Sequence, residues 1–293
     1  MEINETQMMP NISNDCSGPE PEGMKLILGI AYIPVAVVGL LVNGSAVFVF
    51  LCRMTAWNDT HVYMLSLALA NCALVLFLPF RIYDAFQPMQ LSAFCTFLVS
   101  THYINMYASI FTRTAISIHR CVLLKFPLQR WARDSQKTIA FCVCILVWVT
   151  VVTICATFIE ENLPAHMKMC YKRSDEPLSE TFILLLEILG FLLPLFIITL
   201  CSMQTIFVLM KNETAKIKMV FIRIITANLI VFVICYSPIH VGFFLRFNAK
   251  SVNCKQYNLT GSYYQICEWI ATTNCCWDFV AFYCLLKTLY RID

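Results

Sequence analysis

Long apolar runs separated by short charged connections dominate the pattern along this chain. Seven windows contain at most one Asp, Glu, Lys or Arg, at 26–52, 60–80, 85–112, 138–159, 181–210, 224–245 and 269–286. An α-helix crosses the roughly 30 Å apolar core of a bilayer with about 20 apolar residues. Since lipid offers no hydrogen-bond partners, such windows must be helical. The pattern predicts an all-α membrane protein, a bundle of seven transmembrane helices.

The basic residues predict the orientation of this bundle. Lys and Arg are enriched in the cytoplasmic connections of membrane proteins. An outside amino terminus places one set of connecting residues in the cytosol: Arg53, Lys125, Arg130, Arg133, Lys137, Lys211, Lys216, Lys218, Arg223, Lys287 and Arg291. We therefore expect a multi-pass plasma-membrane protein with an extracellular tail at 1–24, a seven-transmembrane domain at 25–287 and a short cytoplasmic tail at 288–293.

Composition agrees with a membrane location and argues against nucleic acid as a partner. Hydrophobic residues make up 59% of the chain and charged residues 13%, whereas a soluble domain carries about 25% charged residues. The net charge of +3 is too small to indicate a nucleic-acid-binding protein.

Four of the sixteen cysteines fall on the predicted outer face, where disulfides persist. Cys95 lies at the start of the third helix and Cys170 in the loop between the fourth and fifth, and we predict that these two pair. Cys16 and Cys254 form the second predicted pair. Three Asn-x-Ser/Thr sequons on the same side are candidate glycosylation sites, namely Asn4, Asn11 and Asn258.

One landmark residue in each predicted helix resembles the pattern of the rhodopsin-like (class A) G-protein-coupled receptors. In chain order these residues are Asn43, Asn71, Arg120, Trp148, Pro194, Pro238 and Asp278. The stretches 105–111, 186–194, 238–244 and 274–278 are similar to the branch that contains the lysophosphatidylinositol and kynurenate receptors. The resemblance implies a receptor without cofactor or enzymatic activity, which activates heterotrimeric G proteins of the Gi, Gq or G-twelve/thirteen classes.

A group of polar and aromatic residues lies near the predicted outer face. His102 is roughly 10 Å along the third helix from Cys95, at a rise of 1.5 Å per residue. Charged groups at membrane depth are costly unless they face a cavity or a partner. The candidate ligand-binding residues are Arg81, His102, Tyr103, Met106, Glu187, His240, Arg246 and Glu268.

Arg81 suggests the chemistry of the ligand, because a guanidinium can bind a carboxylate or phosphate through two parallel hydrogen bonds. An apolar pocket with this residue fits an anionic lipid such as a lysophospholipid, and it fits a small acidic molecule equally well. The alternative is that Arg81 pairs with Glu268 or Asp84 and only ties helices together.

A second polar group is predicted deeper in the bundle. Its members are Asn43, Asn71, Ser109, Arg113, Asn274 and Asp278. Arg113 and Asp278 lie at nearly equal depth, so we predict an ion pair, the alternative being that Arg113 binds only carbonyl groups or water. Ser109 and Asn274 resemble part of the family's sodium site, but a guanidinium there is expected to repel sodium.

The cytoplasmic end departs from the family pattern. His119 stands where relatives have an acid beside Arg120, so the arginine lacks its usual carboxylate. The candidate G-protein contacts are His119, Arg120 and Leu128, and the neighbouring basic residues suit anionic membrane lipids. The alternative to a signalling receptor is a scavenger receptor, or a constitutively active one, with the same fold.

Three other functions are disfavoured by the sequence. The last window has no lysine for retinal, the five histidines are scattered in depth, and no Gly-x-x-x-x-Gly-Lys loop is present for nucleotide. We therefore expect neither an enzyme nor a metal site.

Overall fold

The structure, a computed structural model, describes residues 22–53, 58–125, 133–157, 167–173, 180–212, 215–248 and 254–278. Several predicted residues lie outside these ranges, namely Asn4, Asn11, Cys16 and Leu128 and the tail at 288–293. The side chains of Arg246, Cys254 and Asn258 are likewise outside the described set.

The described residues form seven helical spans, which confirms the predicted fold. The helices are α1 (Glu22–Phe48), α2 (Asp59–Phe86), α3 (Ala93–Lys125), α4 (Arg133–Thr157), α5 (Glu180–Glu187), α6 (Leu193–Asn212), α7 (Ala215–Asn248) and α8 (Cys254–Thr272). The π-helical turn Ile188–Leu192 joins α5 to α6, so these two helices form one span. A second π-helical turn, Val49–Arg53, continues α1.

Some helix ends differ from the sequence prediction. Helix α1 begins at Glu22 rather than at residue 25, and α8 begins at Cys254, well before the apolar window that starts at residue 269. The backbone of Asn258, a predicted glycosylation site on the outer face, lies in the first turns of α8. Thr273 forms a turn that separates α8 from a further helical turn at 274–278. Polar residues obscured the start of α8, because the apolar pattern begins only beyond them.

Five of the seven spans are long and apolar enough to cross a membrane by length and composition alone, and the spans of α3 and α8 are the other two. Helix α3 carries Arg113 and Arg120, while the last span carries Glu268 and Asp278. Both of these less apolar spans therefore carry charged residues into the bundle, and so do two of the more apolar spans, α2 with Arg81 and the α5–α6 span with Glu187.

The largest apolar cluster lies between α3, the α5–α6 span, α7 and α8. Ile110, Tyr236 and Ile239 are almost completely buried in it. A second cluster joins α1 to α2 and the last span around Tyr32 and Leu78. These clusters hold the helices around the two polar groups described below.

A short hairpin covers one end of the bundle. Strands β1 (Met167–Met169) and β2 (Lys172–Arg173) are antiparallel, and the turn between them contains Cys170. Cys170 forms a disulfide with Cys95 at the start of α3, with the two Cα atoms 5.7 Å apart. We call this end of the bundle the disulfide end and the other the Arg120 end.

Helices α1 and α2 approach closely at Gly29. A Cβ atom at this position would lie 2.4 Å from the Cβ of Ala85, whereas a Cβ at Gly44 would meet no atom within 4 Å. The contact therefore requires a residue without a side chain at position 29.

We expect Gly29→Ala to lower the free energy of unfolding in detergent by about 1–3 kcal/mol, because the added methyl group overpacks this contact. Gly44→Ala is the matched control and should not destabilise the protein. Adding Ala85→Gly to Gly29→Ala should restore stability. Equal stability of the two single variants would contradict the proposed contact.

Candidate functional site

Arg81 and Glu268 form a two-pronged ion pair at the disulfide end. The Nη1 and Nη2 groups of Arg81 donate to Oε1 and Oε2 of Glu268, joining α2 to α8. The two side chains are only 10% and 8% exposed. Glu268, one of the two alternatives that the sequence left open, is therefore the partner of Arg81.

Two tyrosine rings contact the Arg81 guanidinium. The Cζ atom of Arg81 lies 4.7 Å from the centroid of the Tyr32 ring and 4.8 Å from the centroid of the Tyr171 ring. Such cation–π contacts stabilise a partly desolvated guanidinium. The guanidinium is thus surrounded by two aromatic rings and a carboxylate.

Tyr171 reaches this position through an unusual backbone conformation. Its φ of 62° lies in the left-handed region, which is uncommon for a residue with a bulky side chain. It follows Cys170, so the disulfide holds it over the bundle. Burial raises the pKa of the Tyr171 hydroxyl, although the Arg81 guanidinium opposes that shift. The phenol is therefore neutral at physiological pH.

Asp84, the other candidate partner of Arg81, has its own contacts. One carboxylate oxygen lies 3.0 Å from Nζ of Lys25 in α1, and the other accepts the backbone N–H of Met89 at 2.8 Å. Lys25 and Asp84 line a cavity together with Arg81 and Tyr171. Lys25, Tyr32 and Tyr171 were not among the candidate site residues predicted from the sequence. Of these three, only Tyr171 could have been predicted, because it stands beside a cysteine of the predicted disulfide.

Three other predicted residues surround the ion pair or lie just below it. His102 places its Nε2 atom 3.4 Å from Oε1 of Glu268. The hydroxyl of Tyr103 lies 3.1 Å from that of Tyr264 in α8. Met106 is buried in the apolar cluster one turn further along α3.

Glu187 and His240 form a separate polar group between the α5–α6 span and α7. Their side chains approach to 3.2 Å, and the ring of Phe191 stacks on the imidazole at 4.3 Å. The Phe243 ring packs against both the His240 imidazole and the Tyr103 ring. Glu187 and His240 therefore contact each other, whereas Arg81 contacts Glu268.

The deeper polar group is assembled as an ion pair with amide support. Arg113 donates from Nη2 to Oδ1 of Asp278 and also to the amide oxygen of Asn274. Asn71 donates to the other carboxylate oxygen at 2.7 Å and to Asn43 at 3.1 Å. The guanidinium therefore occupies the place where a cation would bind the carboxylate. Ser109 is fully buried in the same region.

At the Arg120 end, His119 pairs with an acid from another helix. Its Nε2 atom lies 2.8 Å from Oδ2 of Asp59 at the start of α2, and its ring packs against Tyr63. Among the residues that the structure describes, no carboxylate lies within 4 Å of the Arg120 guanidinium. Arg120 lines a cavity of about 50 Å³ with Arg113.

No group of three or more His, Cys, Asp or Glu side chains within the described ranges could hold a metal ion. The polar groups described above consist instead of guanidinium, carboxylate, imidazole and amide side chains. The arrangement is suited to binding and conformational change.

Comparison with known proteins places this chain among membrane receptors. Residues 42–278 match the family described as "7 transmembrane receptor (rhodopsin family)". The chain is 31% identical to G-protein coupled receptor 55 of Homo sapiens, over 94% of this chain and 91% of that protein. It is 30% identical to G-protein coupled receptor 35 of Mus musculus, over 86% and 82%.

A third relative is lysophosphatidic acid receptor 6 of Gallus gallus. It is 27% identical to this chain over 96% of this chain and 97% of its own length. The matches therefore extend across the bundle and include both polar groups.

We expect removal of either Arg113 or Asp278 to destabilise the protein strongly. Arg113→Met and Asp278→Leu should each lower the free energy of unfolding by about 3–5 kcal/mol, because each leaves an unpaired buried charge. The double variant should lose clearly less than the sum. Unfolding in detergent measures all three, and additive losses would show that the two charges do not interact.

Proposed function

The chain belongs to the rhodopsin family of seven-transmembrane receptors, and from this premise we propose that it binds an extracellular anionic ligand at Arg81 and activates heterotrimeric G proteins. The observation that carries the proposal is the enclosed Arg81 group at the disulfide end. An arginine that contacts two aromatic rings and a carboxylate can bind another carboxylate or a phosphate in place of that carboxylate.

The candidate ligand contacts divide into three kinds. Arg81 supplies the charged contact, and His102 and Glu268 border it. Tyr103 and Met106 supply apolar surface for the rest of the ligand. Glu187, His240 and Arg246 are proposed for a polar group further along the ligand.

An anionic lipid of the lysophospholipid type is the preferred ligand. One relative is named as a receptor for lysophosphatidic acid, and the clusters around this site are rich in apolar and aromatic side chains. A small acidic molecule would use the same arginine without an acyl chain.

The proposed orientation places the disulfide end and residues 1–24 outside the plasma membrane. It rests on the basic residues of the opposite connections and on the stability of disulfides outside the cytosol. In this orientation Asn4, Asn11 and Asn258 are accessible to glycosylation, and Cys16 and Cys254 form a second disulfide. The basic residues of the cytoplasmic side contact anionic membrane lipids.

The G-protein contact is proposed at the Arg120 end, with His119, Arg120 and Leu128 as its residues and the Gi, Gq and G-twelve/thirteen classes as partners. His119 stands where relatives have the acid that restrains this arginine, and it contacts Asp59 instead. Arg120 is therefore available to the G protein. The same arrangement favours raised basal activity as a second candidate function. A scavenger receptor without G-protein activation is the remaining alternative.

We expect Arg81→Gln to lower the affinity for oleoyl-lysophosphatidic acid at least tenfold in a direct binding measurement on the purified protein in nanodiscs. The amide lacks the positive charge and the two parallel donors. Arg53→Gln at the opposite end is the matched control and should bind normally, with both variants present at the cell surface. Unchanged affinity of Arg81→Gln would remove this residue from the proposed site.

Kynurenate and monoolein serve as comparison probes in the same measurement. Competition by kynurenate alone would identify a small acid as the ligand class. Monoolein lacks the negative charge and should bind weakly to the wild-type receptor and to Arg81→Gln.

We expect the purified receptor to accelerate GTPγS uptake by at least one class of heterotrimeric G protein, and Arg120→Leu to reduce that rate at least fivefold. Uptake by the wild-type receptor without ligand measures basal activity. A rate equal to that of empty nanodiscs, with every class of G protein and with the anionic probe present, would support the scavenger alternative.

A further inference from the structure

Glu268 occupies the position on Arg81 that the anionic group of a ligand would take. Its two carboxylate oxygens accept from the two terminal nitrogens of the guanidinium. The Tyr32 and Tyr171 rings also contact this guanidinium, with their centroids 4.7 Å and 4.8 Å from its Cζ atom. A second carboxylate or phosphate therefore reaches the two-pronged face of Arg81 only after Glu268 has moved away.

A second partner for Glu268 lies within reach. The Nε2 atom of His102 is 3.4 Å from Oε1 of Glu268. That nitrogen is buried without a hydrogen-bond partner, and the whole residue is 6% exposed. A buried polar atom without a partner is costly, so a small rotation of the carboxylate toward His102 would satisfy it.

We propose that Glu268 is a tethered competitor of the ligand, which holds Arg81 in the free receptor and moves to His102 when the ligand binds. The inference rests on the proposed function, in which Arg81 binds the anionic group. In the free receptor the Glu268 carboxylate therefore occupies the place that the carboxylate or phosphate of the ligand takes in the complex.

The exchange also restricts the class of ligand. A neutral molecule cannot replace Glu268, because it would leave the guanidinium desolvated and without a negative partner. Lys25, which pairs with Asp84, is a single ammonium and does not offer the fork of two parallel donors that Arg81 has. The ligand group is therefore anionic, with two oxygens that fit the fork of the guanidinium, as in a carboxylate or a phosphate.

The proposal predicts that removing the competitor improves binding. Glu268→Gln should raise the affinity for oleoyl-lysophosphatidic acid at least fivefold, because the neutral amide holds Arg81 less strongly. Glu180→Gln makes the same change at an exposed position at the start of α5 and is the matched control. Monoolein should show no gain with either variant.

The role of His102 is tested by combining substitutions. His102→Phe should lower the affinity at least threefold in the wild-type background, where Glu268 loses its second partner. It should change the affinity less than twofold when Glu268→Gln is present. Equal losses in both backgrounds would mean that His102 contacts the ligand itself, which overturns the transfer of Glu268.

The two substitutions together distinguish the competitor role of Glu268 from the binding role of Arg81. If Arg81→Gln loses binding while Glu268→Gln binds no better than wild type, Glu268 is not a competitor, although Arg81 still binds the ligand. If neither Arg81→Gln nor Glu268→Gln alters the affinity for the probe, the anionic site itself is wrong. Thermal unfolding of each variant in nanodiscs shows whether it is folded.

Discussion

Pairing of buried charges is the constraint on which the bundle depends. A lone charge in a membrane-spanning core is far more costly than a pair, and two arginines at depth are paired here with carboxylates of the last span. Arg113 reaches Asp278 from α3, and Arg81 reaches Glu268 from α2. The two pairs orient the last span against α2 and α3, and they account for the low apolarity of that span.

The two ends of the bundle use charge differently. At the disulfide end Arg81 is enclosed by a carboxylate and two rings, so an anion must displace an existing partner before it can bind. At the Arg120 end the usual acid is replaced by His119, whose partner is Asp59 on another helix. The proposed ligand site is therefore restrained, whereas the proposed G-protein site has a weaker restraint on its arginine among the described residues.

Depth along a helix could be predicted from sequence, but rotation could not. A constant rise per residue placed Arg113 and Asp278 at one level, and because both had to avoid lipid, their pairing followed. The same argument placed Glu187 and His240 in one layer with Arg81, but it did not predict that Glu187 and His240 contact each other. Arg81 had two candidate acids, and the structure pairs it with Glu268 while Lys25 pairs with Asp84.

The sequence by itself determined the seven spans, because lipid forces apolar segments into helices, and it determined which charged residues had to avoid lipid. The tertiary structure decided which partner each arginine has and which rings cover it. Tyr171 shows why: it lies in a short hairpin far along the chain from Arg81, next to the Cys95–Cys170 disulfide, and its ring contacts the Arg81 guanidinium. Contacts of this kind depend on how separate helices and loops pack together, which local pattern does not encode.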